Sequence, residues 1–110
     1  MTDAWLALDQ GGHSSRALVF GQDGALLAQA AVPIGTLQGT DGHIEHDPEE
    51  LVRSLREAVA GAVEALPAAT RVAAAGLATQ RSSMVCWHRR TGAALSPVIS
   101  WQDRRNAAWL

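Results

Sequence analysis

Two short apolar runs joined by a glycine pair constrain the fold of this chain more than any other feature. Residues 5–8 and 17–20 are almost entirely apolar, as in strands that are covered on both faces. Between the runs, Gly11 and Gly12 can adopt positive φ, which suits the turn of a β-hairpin. The pattern therefore predicts two antiparallel strands, with Asp9 at the end of the first.

The polar residues around this turn have the chemistry of a phosphate site. Asp9 can ligate a hydrated Mg²⁺, which takes one or two carboxylates together with phosphate oxygens. The glycine amides and the Ser14 and Ser15 hydroxyls can donate to anionic oxygens, and Arg16 adds a permanent planar cation. The same residues also fit an ordinary hairpin, in which Asp9 caps the turn and Arg16 pairs with a nearby acid.

Composition narrows the possible functions. The 110 residues suffice for one domain, and a net charge of −2 favours neither nucleic acid nor an anionic membrane as a partner. All nine basic residues are arginine, so this chain cannot contain a Walker A phosphate loop, which needs a lysine. One cysteine precludes an internal disulfide, and the sequence shows neither a leader-like pattern nor a long apolar run. We therefore expect a cytoplasmic protein.

Turn signals place the other strands. A turn at residues 22–24 leads into a third strand at residues 26–32, which continues an antiparallel meander. Residues 33–42 are rich in glycine and proline and are predicted to form a loop. Further strands are predicted at residues 72–77, 84–87 and 98–101.

Capping signals place the helices. Asp47 as N-cap and Pro48 as the first helical residue begin a helix that ends near Pro67. A second helix is predicted from Asp103 to Leu110. The expected apolar face of the first helix consists of Leu51, Leu55, Val59, Ala62, Val63 and Leu66.

Some side chains with metal-binding or nucleophilic chemistry have simpler structural interpretations. His43, Glu45, His46 and Asp47 are metal-ligand types, but they lie on an extended segment entering a helix, which favours capping and packing. Cys86 lies between apolar residues without a nearby base, so we expect a buried apolar side chain rather than a nucleophile.

Three motif segments follow the hairpin in order. They are residues 42–50 (GHIEHDPEE), 75–83 (AGLATQRSS) and 97–105 (PVISWQDRR). Together with the hairpin they resemble the amino-terminal part of the FGGY carbohydrate kinases, and the glycerol kinase branch most of all. The resemblance implies an α/β, ribonuclease H-like (actin-type ATPase) domain, with a three-stranded antiparallel meander in a mixed sheet flanked by helices. Residues 1–110 would form part of the first of two lobes.

The resemblance assigns the hairpin to ATP and Mg²⁺. Asp9 resembles the family's carboxylate for Mg²⁺ and phosphate, and Ser14 and Arg16 resemble contacts to nucleotide phosphate. This chain has Gly12 and His13 where glycerol kinases carry two threonines, so backbone amides or the imidazole must replace two hydroxyl contacts. The expected cofactor-binding residues are Asp9, Gly11, Gly12, His13, Ser14 and Arg16.

The later motifs are assigned to the substrate. Arg81 resembles the arginine that binds substrate hydroxyls, and Trp101 resembles the indole that packs on the carbon backbone of the polyol. Ser82 and Asp103 complete the expected substrate-binding set. Ser82 stands where glycerol kinases carry glutamate and offers one hydroxyl in place of a carboxylate, which favours a larger or different polyol over glycerol. A surface role for Arg81 and a core role for Trp101 are the structural alternatives.

The function implied by the resemblance is ATP-dependent transfer of the γ-phosphoryl group to a hydroxyl of a sugar or polyol. The family's base is an aspartate expected well beyond residue 110, so we expect no catalytic residue in this segment and no activity from it alone. The absence of a C-cap near Leu110 favours a longer polypeptide. One alternative is a non-catalytic binding module that keeps the fold and associates as a homo-oligomer. Another is an actin-like ATPase scaffold, which the motifs at Gln80 and Trp101 disfavour.

Overall fold

A four-stranded mixed sheet and one long helix contain the hydrophobic core of the structure. The structure is a computed structural model and describes residues 1–109. Its elements in chain order are β1 (Thr2–Gln10), β2 (Ser14–Gly21), β3 (Leu26–Pro33), β4 (Leu37–Gln38), β5 (Ile44–His46), α1 (Pro48–Glu64), β6 (Thr70–Ala78), β7 (Val98–Ile99) and a 3-10 helix (Ala107–Trp109).

The main sheet has the order β3-β2-β1-β6. The first three strands form the predicted antiparallel meander, in which Asp9 lies opposite Arg16. After α1 the chain returns as β6, which pairs with β1 in the parallel direction. The prediction of a mixed α/β sheet is therefore confirmed. Because β1 and β6 are parallel, the residues that follow them lie at the same edge of the sheet.

The helix α1 begins where the cap residues predict. The Asp47 side chain accepts a hydrogen bond from the Glu49 amide at 2.9 Å, and Pro48 occupies the first turn, where a missing N–H costs nothing. Two glutamates in that turn, Glu49 and Glu50, face the positive end of the helix dipole.

Small side chains carry the contact between α1 and the sheet. The buried residues of α1 are Ser54, Ala58 and Ala62, at i, i+4 and i+8, and a Cβ on Gly61 would lie 3.1 Å from Ala30 Cβ. The expected apolar face is wrong at Val63, which is 46% exposed. The close approach of the helix to β3 favours the small residues. The buried core is Ala4, Leu6, Ala17, Val19, Ala28, Ala58 and Ala62.

The expectation that the hairpin strands are covered on both faces is wrong for the described residues. Burial alternates along β1 and β2, with Leu6 and Val19 buried and Trp5 43% exposed. The cause is that α1, the one α-helix in residues 1–109, packs on a single face of the sheet.

A second sheet, with the order β4-β5-β7, was not predicted. Its β4 lies inside the segment predicted as a loop. The predicted strand at residues 84–87 is wrong: Met84 and Trp87 make only isolated bridges, to Ile99 and Ala94. The predicted last helix reduces to turns and the 3-10 helix, and Leu110, which the prediction includes, lies outside the described residues. The Asp103 carboxylate accepts hydrogen bonds from the Ile44 amide and from Arg105, and these hold the segment in turns instead.

Cys86 is exposed, contrary to the prediction of a buried side chain. All of residues 84–95 are exposed, and the chain turns at Gly92, where φ is 76°. Within residues 1–109, no helix has both the length and the apolar character to cross a membrane.

Candidate functional site

The turn after β1 and the segment after β6 meet at one edge of the main sheet. Gln80 Nε2 donates to the Gly11 carbonyl at 3.0 Å and to Gln10 Oε1 at 3.2 Å. Two motifs that are some 70 residues apart in sequence are thus in direct contact. The parallel pairing of β1 with β6 produces this contact.

Asp9 and Arg16 form an ion pair across the hairpin. Arg16 Nη2 lies 2.6 Å from Asp9 Oδ2, and the two side chains are 55% and 41% exposed. They lie on the sheet face opposite α1, because the neighbouring Ser15 is on the α1 face, where its hydroxyl bonds Ser54 Oγ at 2.7 Å. The expectation that Ser15 donates to an anion is therefore wrong, since its hydroxyl is buried and bonded.

The turn itself differs from the expected glycine geometry. Neither Gly11 nor Gly12 has positive φ. The Gly11 amide donates to Ser14 O at 2.9 Å, and a Cβ on Gly12 would meet no atom within 4 Å. The side of Gly12 is therefore open to a ligand. His13 is exposed at the turn, and its carbonyl accepts from the Ile34 amide at 3.0 Å.

The residues of the turn fit Mg²⁺ as a site with one carboxylate. Asp9 is partly exposed, which leaves room for the waters and phosphate oxygens that Mg²⁺ keeps. A cage made only of protein ligands does not fit, because the described residues contain no group of three metal-ligating side chains. His46 is 2% exposed and its Nδ1 bonds the Gly35 carbonyl at 3.0 Å, which is the expected packing role.

Arg81, Ser82 and Trp101 line one cleft of about 470 Å³. A neighbouring cleft of about 610 Å³ shares Ser82 and Trp101 and is also lined by Asp103. Trp101 is 58% exposed, so its indole is a surface of the cleft and not part of the core. Ser82 has φ of 65°, a left-handed conformation that is uncommon for a residue other than glycine. The four residues predicted to bind substrate lie together, and their binding role stays a prediction.

The Asp103 carboxylate holds residues 100–106, the loop that carries Trp101 and that we call the Trp101 loop. Its Oδ2 accepts from the Ile44 amide at 2.6 Å and from Arg105 Nη2 at 2.7 Å, and its Oδ1 accepts from Arg105 Nε at 2.8 Å. The hydrogen bonds from Arg105 hold the pKa of Asp103 well below its ordinary value, although burial acts to raise it. The hydrogen bond from the Ile44 amide also lowers the pKa of Asp103.

Arg105 connects that loop to β5. Its Nη2 also lies 2.6 Å from Glu45 Oε2, and its side chain is 23% exposed. The hydrogen bonds to Asp103, and then to Glu45, raise the pKa of Arg105 above its ordinary value. The guanidinium thus joins residues about 60 positions apart.

The hydrogen bonds that several of these residues make are not predicted by the sequence. Gln80 lies inside the motif at residues 75–83, so the sequence does carry a signal for it. Ser83, Glu45 and Arg105 act through partners distant in sequence, and no local pattern indicates those pairs.

Comparison with known proteins shows which family the sequence matches. The model of the FGGY family of carbohydrate kinases, N-terminal domain, matches residues 4–110. A glycerol kinase of Verminephrobacter eiseniae is 46% identical over 101 residues, covering 91% of this chain and 20% of that protein. A glycerol kinase of Rhodospirillum centenum is 44% identical over 104 residues, covering 94% and 21%. The chain therefore spans about a fifth of the length of these relatives.

Solved structures show the same fold at low identity. Glycerol kinase of Plasmodium falciparum with ADP superposes with a TM-score of 0.90 at 21% identity, covering 98% of this chain and 22% of that one. Gluconate kinase of Lactobacillus acidophilus gives 0.88 at 16% identity, covering 99% and 22%. The predicted actin-type ATPase fold is confirmed by these neighbours. The chain belongs to the FGGY family of carbohydrate kinases.

Proposed function

We propose that this chain is the amino-terminal part of an ATP-dependent carbohydrate or polyol kinase that transfers the γ-phosphoryl group to a substrate hydroxyl. The observation that carries the proposal is the contact between Gln80 and Gly11, which brings a turn suited to phosphate next to the cleft of Arg81 and Trp101. Membership of the FGGY family supports the reaction class, and relatives named glycerol kinase support a small polyhydroxy substrate.

The β1–β2 turn is the proposed phosphate side. Asp9 would hold Mg²⁺, which supplies charge neutralisation on the phosphate oxygens when bound. A Cβ on Gly12 would meet no atom, so that side of the turn has room for a ligand, and His13 and Ser14 follow in sequence with further polar side chains. Arg16 carries a permanent positive charge at this site, and its present partner is Asp9.

The cleft at the other side of Gln80 is the proposed substrate site. Arg81 presents several N–H donors to hydroxyl oxygens, and the exposed indole of Trp101 offers an apolar face to a carbon chain. Ser82 adds a single hydroxyl. We propose that Asp103 acts by holding the Trp101 loop, because its carboxylate is already bonded to Ile44 and Arg105.

The transfer itself needs alignment more than covalent chemistry. The protein must hold the hydroxyl in line with the γ-phosphate and stabilise the charge on the transferring oxygens. We place the base that accepts the hydroxyl proton outside these residues. We also propose that the whole protein uses ATP with Mg²⁺ and acts in the cytoplasm.

An ADP-release assay with the full-length protein tests this proposal. The protein is incubated with Mg·ATP and, in turn, glycerol, tetritols, pentitols and ketopentoses. We expect at least one compound to stimulate ADP release, and the R81M protein to need a higher concentration of it because substrate hydroxyls lose their donors. ADP release that no polyol or sugar stimulates would contradict the kinase assignment and favour an ATPase scaffold.

A further inference from the structure

The side-chain amide of Gln80 lies between the β1–β2 turn and the loop that carries Trp101. Its Nε2 donates to Gly11 O at 3.0 Å and to Gln10 Oε1 at 3.2 Å. Gln80 Oε1 accepts a hydrogen bond from the Ser83 hydroxyl at 2.9 Å. Ser83 Oγ in turn accepts a hydrogen bond from the Trp101 amide at 3.0 Å. An unbroken path of hydrogen bonds therefore joins the turn to the Trp101 backbone.

At the turn, this path fixes the direction of one peptide group. Gly11 O accepts from Gln10 Nε2 at 2.9 Å as well as from Gln80, and Gln10 is only 6% exposed. The described residues contain no cis peptide bond, and in a planar trans peptide the carbonyl and the following N–H point in opposite directions. The Gly12 N–H is therefore directed away from Gln80, on a residue with open space beside it.

At its other end, the path fixes the Trp101 backbone. The left-handed conformation of Ser82 turns the chain between Arg81 and Ser83, and Ser83 bonds Gln80 while Arg81 lines the cleft. The bond from the Trp101 amide to Ser83 holds the loop, and the indole stays exposed in the cleft. The turn proposed for phosphate and the cleft proposed for substrate are thus joined through one side chain.

We propose that Gln80 is a positioning residue that couples nucleotide binding to the order of the Trp101 loop, with Ser83 as its relay. The inference rests on the proposed function. A phosphate accepting from the Gly12 N–H polarises the Gly11–Gly12 peptide and strengthens the bonds that Gly11 O accepts. Those bonds hold the Gln80 amide, whose oxygen holds Ser83, and Ser83 holds the Trp101 amide. Nucleotide binding therefore orders the substrate loop before the polyol binds.

Amide hydrogen exchange of the full-length protein, with and without Mg·ADP, tests the coupling, while calorimetry measures ADP binding separately. Coupling between sites is commonly about fivefold or more. We expect ADP to slow exchange at the Trp101 amide by at least about fivefold in the wild-type protein. The Q80M and S83A proteins should still bind ADP but lose this protection, and the S83T protein, which keeps the hydroxyl, should retain it.

Ser96→Ala is the matched control. Ser96 Oγ also holds a backbone amide, accepting from Cys86 at 2.9 Å, but it lies outside the path. The S96A protein should show the same ADP-induced protection at Trp101 as the wild type. If ADP binds the wild type without slowing that exchange, or if S83A keeps the full protection, the coupling is wrong and the proposed function stands. If the wild type binds no ADP, both fail.

Discussion

The carboxylate of Asp9 and the guanidinium of Arg16 face each other across the hairpin at 2.6 Å, with about half of each side chain exposed. An exposed pair of this kind adds at most about 1 kcal/mol to stability. Stability alone therefore gives little reason for the pair. Under the proposed function, Asp9 would separate from Arg16 to hold Mg²⁺, and Arg16 would then be free to face the phosphate.

Replacing Asp9 tests that interpretation. In the full-length protein, Asp9→Asn should lower kcat on the order of 10²-fold, because the carboxylate proposed to hold Mg²⁺ is lost. The free energy of unfolding should change by less than about 1 kcal/mol. Steady-state kinetics and urea unfolding measure the two effects. Asp3→Asn is the control, because Asp3 forms a similar exposed pair with Arg71 far from the turn, and it should leave kcat unchanged.

Ser82 tests the backbone of the cleft. With φ of 65°, a β-branched side chain at this position is strained, so Ser82→Val should destabilise the protein by about 1 kcal/mol or more. Ser82→Gly should stay within about 0.5 kcal/mol of the wild type, since relief of strain offsets the greater freedom of the unfolded chain. Thermal unfolding measures both. A valine protein as stable as the glycine protein would contradict the left-handed conformation.

At the scale of elements, α1 was predictable because its cap is a local signal. Asp47 and Pro48 identify the helix start from neighbouring residues alone. The small buried residues Ser54 and Ala58 were not predictable, because their burial depends on how closely the helix approaches β2 and β3.

Replacing the N-cap tests the start of α1. Asp47→Ala should lower the free energy of unfolding by about 1 kcal/mol, and Asp47→Asn by only a few tenths, as urea unfolding would show. Equal losses in the two proteins would contradict the cap.

The Trp101 loop is an element that no local pattern predicts. A helix was expected from Asp103, but its carboxylate bonds the Ile44 amide across 59 positions of sequence and holds the chain in turns. A tertiary bond of this kind overrides local helix propensity. The motifs identify Arg81, Ser82 and Trp101 as candidate substrate residues. They do not predict that the three residues line one cleft, because the cleft depends on the bond between Asp103 and Ile44 and on the second sheet.

The Asp103 carboxylate in this loop should make the stability of the protein depend on pH. Arg105 holds the pKa of Asp103 below its ordinary value of 3.8, so near and below that value the unfolded chain binds more protons than the folded protein. The stabilisation is complete above the unfolded pKa and is lost as pH falls toward the folded pKa. Urea unfolding between about pH 6 and 2.5 should show the wild type losing its advantage over the D103N protein. The E57Q protein, altered at an exposed residue of α1, should follow the wild type throughout. A constant difference between wild type and D103N would contradict the pair.

At the scale of the whole molecule, the order β3-β2-β1-β6 places both halves of the site at one edge. The meander follows from local turns, and the parallel return through α1 follows from the family resemblance. The second sheet and the uncovered face of the main sheet did not follow from either, because they depend on which elements pack together. The candidate site therefore depends on the topology of the sheet as well as on the short motifs that hold its residues.

A structure of the full-length protein with Mg·ADP and the polyol that stimulates it most tests the proposed function and the role of Gln80 together. We expect nucleotide phosphate within hydrogen-bond distance of the Gly12 amide. We also expect the polyol to lie between Arg81 and Trp101. In the same structure, the Gln80 side chain should keep its hydrogen bonds to Gly11 O and to Ser83. Nucleotide bound away from the β1–β2 turn, or polyol bound outside the cleft of Arg81 and Trp101, would contradict it.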